Sequence, residues 1–192
     1  MCIIIITPSC RPKNLIKIKD SIDFDYIRLW IIVYDQTKIK KNPQQFKEYP
    51  QIVELIHTSP GISGNPQRNF GLDFIEANYQ LIQQTYIYFL DDDNIVHPNL
   101  FKRLSNLKVN KIYSFNQIEP QNGTKHLKGN RLDCKHVDTA MILLDSKLCE
   151  GMRWEIQRYD ADGLFIENIY KKNKDKHIYI DEDLSYYNKL SE

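Results

Sequence analysis

The strongest constraint on how this chain folds is the form of its apolar segments, which are short and unbroken. Ile3–Ile6, Arg28–Tyr34, Tyr86–Leu90, Lys111–Phe115, Thr139–Leu144 and His177–Ile180 each have the length of a strand. A half-exposed strand would alternate apolar with polar residues, whereas continuous runs of this length suit parallel strands buried on both faces. Between several of them lie helical patterns. Asn14–Ser21 follows the first run, and Asn65–Gln80 follows a Gly-rich loop, with Asn65 expected as N-cap and Pro66 at the first helical position. His97-Pro98 opens a third helix carried by Leu100, Phe101 and Leu104, and Asp162–Lys172 has the spacing of a late amphipathic one. Strand and helix alternate, so the expected class is α/β, with a Rossmann-like, mainly parallel central sheet flanked by helices.

The 192 residues, 42% of them apolar, suffice for one core, and a single domain over 1–192 is expected. Gln36–Pro50 and Glu119–Lys135, with Pro120, Asn122-Gly123 and Gly129 as turn signals, read as surface loops. The basic runs Lys38–Lys41 and Lys171–Lys176 read as solvated faces. A net charge of +1, from 26 basic and 25 acidic residues, gives no overall field for nucleic acid or a membrane surface. The four cysteines show neither a CxxC pair nor the density of a disulfide scaffold, which suits a reduced, cytoplasmic, soluble protein. The opening Cys2–Ile6 ends at Thr7-Pro8, well short of the roughly 20 residues of a membrane span.

The chemistry concentrates where Tyr86–Leu90 runs into Asp91-Asp92-Asp93-Asn94. In open α/β sheets ligands bind at the carboxyl ends of the strands, and three adjacent carboxylates there repel one another unless something compensates them. A divalent cation, Mn²⁺ or Mg²⁺, would do so. Such ions take oxygen ligands and reach the protein through one or two carboxylates, leaving other positions to phosphate oxygens and water. An acidic turn or helix cap is the plain alternative. A P-loop is excluded, because no Gly-Lys-Ser or Gly-Lys-Thr occurs. A phosphatase with an aspartate nucleophile would carry its motif near the first strand, not in mid-chain.

Tyr88-Phe89-Leu90-Asp91-Asp92-Asp93-Asn94, continuing to Asn99-Leu100-Phe101, resembles the metal-binding DXD segment of the inverting glucuronyltransferases of glycosyltransferase family 43. Other segments are similar in the same order: Thr7-Pro8-Ser9-Cys10-Arg11-Pro12, Leu29–Asp35, Gln67-Arg68-Asn69 with Gly71-Leu72, and Val137-Asp138-Thr139-Ala140. The resemblance runs from about Ile3 to Leu144 and extends more loosely to family 2. It implies a GT-A fold of two abutting Rossmann-like halves and transfer of a sugar from a nucleotide-diphosphate donor, most simply a UDP-sugar, to a glycan hydroxyl. On that resemblance Thr7, Pro8, Arg11 and Asp35 would border the nucleoside and Arg68 would sit near the nucleotide. Asp91 would reach the ribose side and share the metal, Asp92 would help position the donor, and Asp93 would be the direct metal ligand. Asp138 would approach the acceptor. The chain departs from the family at Ser63-Gly64, where another arginine is usual, and in lacking a match to a late histidine that helps hold the diphosphate. Both departures leave the donor sugar open.

Inversion requires a carboxylate to take the acceptor proton. Asp162 is the first candidate, matching the Asp that leads the corresponding helix of family 2, and Asp160 is the second. A helix N-cap or first-turn acid is the plain reading of either. Trp154 and Tyr159 are candidates for a ring beneath an acceptor sugar, or for the core. Two other functions fit parts of the pattern. A catalytically inactive nucleotide-sugar or carbohydrate-binding domain would keep the triplet but tolerate loss of Asp160 and Asp162. A nucleotidyltransferase would want a Gly-rich loop after the first strand, and Thr7–Pro12 has no glycine.

Overall fold

The computed structural model describes residues 2–39, 44–79, 85–104, 106–119 and 124–190. Lys40, Lys41, Gln80, Pro120, Asn122 and Gly123, named above as parts of runs, helices or turns, lie outside them. Eight strands form one sheet: β1 Cys2–Ser9, β2 Ile27–Asp35, β3 Ile52–His57, β4 Thr85–Phe89, β5 Ile112–Ile118, β6 Lys125–Leu127, β7 Ile142–Asp145 and β8 His177–Tyr186. The order is β3-β2-β1-β4-β7-β5-β6, with β8 on the other edge of β5. Neighbours from β3 to β4 run parallel, as do β5 and β8, while β7 is antiparallel to both β4 and β5. The mainly parallel α/β architecture is the expected one.

The four isoleucines of β1 explain why the opening run is unbroken. Successive side chains of a strand point to opposite faces. Ile3 and Ile5 enter a core with Leu15, Ile18 and Trp30, while Ile4 and Ile6 enter a second core with Leu72, Ile75 and Phe89. Each is at most 1% exposed. Full burial of an isoleucine contributes about 1.5–3 kcal/mol, so these four are a large share of the sheet's stability. Among the described residues five α-helices pack on the sheet: α1 Leu15–Ser21, α2 Asn65–Asn78, α3 Leu100–Arg103, α4 Ser146–Cys149 and α5 Ala161–Lys172. Gly71 lets α2 lie close on the sheet, because a Cβ there would meet Ile6 Cγ2 at 2.8 Å.

The structure departs from the sequence reading at several elements. Thr139–Met141 is a 3₁₀ turn, not strand, because the Asp138 carboxylate accepts the Ala140 N–H and closes it; only Ile142–Asp145 pairs in the sheet. Helix α2 begins at Asn65 and its N-cap is Gly64 at φ 77°. The Asn65 side chain instead donates to the carbonyls of Glu155 and Arg158. Strands β3 and β6 and helix α4 carry too little apolar periodicity to be found, and β6 lies within what reads as a loop. Strand β8 runs six residues past Ile180, which matters for the site.

Candidate functional site

A cleft of about 530 Å³ opens at the carboxyl ends of β1, β2 and β4, the edge where parallel sheets bind ligands. Its walls hold Pro8, Arg11, Asp35 and Arg68 with Asp91, Asp92 and Asp93 on the nucleotide side of the sequence reading. Asp138, Asp160 and Asp162, the residues expected to serve the acceptor, line it as well. Among the described residues, seven carboxylates therefore face it against three cations, the third being Lys38.

The three aspartates after β4 have different surroundings. Asp92 is 3% exposed and fully occupied: it accepts from Ser9 Oγ at 3.1 Å, the Cys10 and Arg11 N–H groups at 2.7 and 2.6 Å, and Arg11 Nη1 at 2.6 Å. It holds the loop after β1 in place. Asp93 accepts a 3.1 Å contact from Arg11 Nη1, and burial and then Asp91 push its pKa up, with Arg11 opposing. Asp91 accepts from Arg68 Nη2 at 2.5 Å, with a third of its side chain exposed.

Arg68 is the centre of the floor. It is 1% exposed, donates from Nη1 to the Ser63 carbonyl and Asn65 Oδ1, and lies 3.3 Å from Asp162 Oδ1 as well as against Asp91. Burial opposes its charge, and Asp162 and Asp91 more than offset that. The Trp154 ring lies 5.7 Å from the guanidinium and its Nε1 donates to Asp162 Oδ1 at 3.1 Å. Trp154 is itself 3% exposed and stacks on Phe165 at 3.6 Å. It therefore supports the floor from beneath, and the aromatic rings that line the cleft are Tyr159, 84% exposed, and Tyr187.

The candidate bases separate clearly. Asp162, in the first turn of α5, has its pKa raised by burial against the pull of Arg68. Asp160 is paired on the surface with Arg158 at 2.8 Å, which lowers its pKa. Asp138 is pushed up to about 7, by burial first and by Asp91 second, while the Ala140 N–H holds one of its oxygens. Gly163 lets the first turn of α5 lie against the backbone at Cys134, since a Cβ there would sit 2.1 Å from the Cys134 carbonyl oxygen.

Two predicted nucleoside residues are not simply cleft groups. Thr7 is fully buried and its Oγ1 accepts the Trp30 indole N–H at 2.9 Å, so it lies under the cleft and not on its wall. Asp35 lines the cleft but also caps its own turn, accepting Thr37 N at 3.0 Å and Thr37 Oγ1 at 2.5 Å. Other lining residues escaped the sequence reading. Gln67 lines it beside Arg68, and Tyr187 and Asn188 reach it because β8 runs on to Tyr186 and Leu190 N then donates to the Asp93 carbonyl at 2.7 Å. Among the described residues no three His, Cys, Asp or Glu side chains form a ready-made metal cage. Mg²⁺-type sites do not require one, because one or two carboxylates with phosphate oxygens suffice. No helix among the described residues is long and apolar enough to cross a membrane.

No protein-family profile matches the sequence, and no curated protein does. Solved structures do match in shape. The S. aureus protein TarS, residues 1–349, aligns with a TM-score of 0.72 at 12% identity over 96% of this chain, which spans 59% of the TarS piece. A 4-diphosphocytidyl-2C-methyl-D-erythritol synthase aligns at 0.54 and 12% identity, covering 94% of this chain and 88% of that one. A mycobacterial protein aligns at 0.60 and 10%, covering 96% and 66%. At these identities the likeness establishes the fold, an α/β sheet of the GT-A type, and not the activity.

Proposed function

We propose that the chain is a metal-dependent, inverting glycosyltransferase that moves a sugar from a nucleotide-diphosphate donor, most simply a UDP-sugar, to a hydroxyl of a glycan acceptor. The observation that carries this reading is the charge of the cleft. Among the described residues, seven carboxylates against three cations, all three already in ion pairs with aspartates, would repel a diphosphate. A divalent cation reconciles the two. Asp93 and Asp91 fit it: they stand on one loop, their oxygens are not saturated as those of Asp92 are, and oxygen is the donor that Mn²⁺ and Mg²⁺ take. When bound, the ion would neutralise charge on the departing diphosphate.

The chain's own residues divide the remaining work. Pro8, Arg11 and Asp35 border the nucleoside, and Asp92 positions the donor indirectly by holding the loop that carries Arg11. Arg68 keeps Asp91 and Asp162 at fixed separation. Asp162 accepts the proton of the attacking hydroxyl; its raised pKa makes it a better base than Asp160, whose proton affinity Arg158 lowers. Asp138 receives a neighbouring acceptor hydroxyl. Tyr159 takes over from Trp154 as the ring on which an acceptor sugar packs.

The resemblance to family 43 supports this reading through motif order. The fold likeness to a 4-diphosphocytidyl-2C-methyl-D-erythritol synthase favours a second reading, nucleotidyl transfer. The glycine-free loop after β1 speaks against it. Product analysis separates the two: release of nucleoside diphosphate from a nucleotide-sugar, abolished by chelator, supports glycosyl transfer. Release of pyrophosphate from a nucleoside triphosphate identifies the nucleotidyltransferase. Donor binding with no turnover would identify the non-catalytic binding domain.

A further inference from the structure

Gln67 is the third residue of α2, whose start faces the cleft, yet the fold gives its side-chain N–H group no partner. It lines the cleft, is 1% exposed, and its Nε2 has no hydrogen-bond partner among the described residues. A buried N–H left without a partner is unfavourable, and a leucine of similar volume would avoid it. Side chains kept in that condition inside a pocket are explained by a ligand that supplies the missing partner.

The helix geometry says where that ligand lies. Successive residues of an α-helix turn by about 100°. Gly64 and Gly71, seven apart, both face β1: a Cβ at Gly64 would meet Pro8 at 2.7 Å, and one at Gly71 would meet Ile6 at 2.8 Å. Gln67 and Arg68 project to opposite sides of that line. Arg68 turns toward β4, where it meets Asp91. Gln67 therefore turns toward β2, the neighbour of β1 on its other side, whose last residue is Asp35. Phe70, three residues on from Gln67, agrees with this sense of rotation, since it stacks on His57 of β3 at 4.7 Å, beyond β2.

We infer that Gln67 is a nucleoside-reading residue, its amide donating to an acceptor atom of the base or ribose held between α2 and the end of β2. The inference rests on the nucleotide-sugar reading and goes beyond it, by placing a contact on the nucleoside and not on the diphosphate or the sugar.

The test compares the parent chain, Gln67→Leu and Asp93→Asn, all with Mn²⁺. The ligands are whichever of UDP, GDP, CDP and dTDP binds the parent, and the matching monophosphate. Gln67→Leu is expected to weaken diphosphate and monophosphate by the same factor, about tenfold for one lost hydrogen bond. Asp93→Asn is expected to weaken the diphosphate more than the monophosphate. Without ligand, Gln67→Leu is expected to melt no lower than the parent, because the side-chain N–H group has no partner to lose. Three results would overturn the inference: unchanged affinity in Gln67→Leu, a loss confined to the diphosphate, or a ligand-free melting point several degrees below the parent. Failure of the parent to bind any of the nucleotides would instead remove the nucleotide-sugar reading on which the inference stands.

Discussion

Arg68 and Asp162, 94 residues apart in sequence, meet at 3.3 Å beneath the cleft, and the same guanidinium holds Asp91 at 2.5 Å. One fully buried cation thus ties the segment after β4 to the first turn of α5. The two carboxylates are assigned to opposite ends of the reaction, donor and acceptor. Their separation is set by a residue with no freedom of its own, since Ser63 and Asn65 also hold it.

Removing that cation strands two carboxylates. Breaking a buried ion pair by deleting one partner costs about 3–5 kcal/mol, and the partial exposure of Asp91 and Asp162 places Arg68→Met near the lower end. For a chain of this size a loss of about 3 kcal/mol lowers the melting temperature by roughly 6–12 °C. Arg68→Lys keeps the charge but not the planar fork, and is expected to fall between Met and the parent. Thermal denaturation of the three proteins checks this.

Trp154 and Tyr159 should behave oppositely. Trp154 is packed on Phe89 and Phe165, so Trp154→Ala is expected to cost about 3–5 kcal/mol. Tyr159 is 84% exposed, so Tyr159→Ala should leave the melting temperature within about 1 °C, as surface changes do. Once an acceptor is in hand, Tyr159→Ala should raise its KM several-fold with little change in kcat. Calorimetry and acceptor kinetics on both variants separate floor from wall.

Asp138 makes stability depend on pH in an unusual sense. Its pKa is about 7 in the folded protein and near 3.8 unfolded, so the folded state holds the proton more tightly. Its contribution is present in full below about pH 4 and is lost as pH rises through 7. Asp138→Asn can still accept the Ala140 N–H through its amide oxygen and does not titrate. The parent should therefore lose stability relative to Asp138→Asn between pH 5 and 8, as read from urea midpoints at the two pH values. A difference that does not change with pH would contradict the assignment.

Much of the fold was legible because burial on both faces leaves runs such as Ile3–Ile6 and Arg28–Tyr34 no room for polar residues. Strand β3 escaped because, with Glu54 and His57 among its six residues, it lies at the sheet edge and is only partly buried beyond Ile52. The acidic triplet was legible as a group, yet its members' separate situations were not. Asp92 is occupied by partners more than 80 positions away, and no local pattern reports that. The same holds for Trp154 and Thr7, whose residue types suit a binding wall but whose packing places them beneath it. Tyr187 and Asn188 lie in the cleft through the path of β8, a tertiary fact with no sequence signature beyond the length of that strand.

The two candidate bases are separated by substitution. Asp162→Asn should lower kcat by about 10²–10⁴, the usual contribution of a positioned general base, and Asp160→Asn should lower it by only a few-fold. Equal losses, or the reverse order, would move the base to Asp160.

Every role proposed for the cleft depends on a metal-dependent nucleotide site. The most direct measurement is the melting temperature with UDP, GDP, CDP and dTDP, each with Mn²⁺ and with chelator, on the parent and on Asp93→Asn. Ligand at 100 times its dissociation constant adds about 2.7 kcal/mol, which for this size raises melting by roughly 5–10 °C. Such a rise is expected for at least one nucleotide, dependent on Mn²⁺ and absent in Asp93→Asn. No metal-dependent rise with any of the four would contradict the proposal, and would return Asp91-Asp92-Asp93 to the role of an acidic turn.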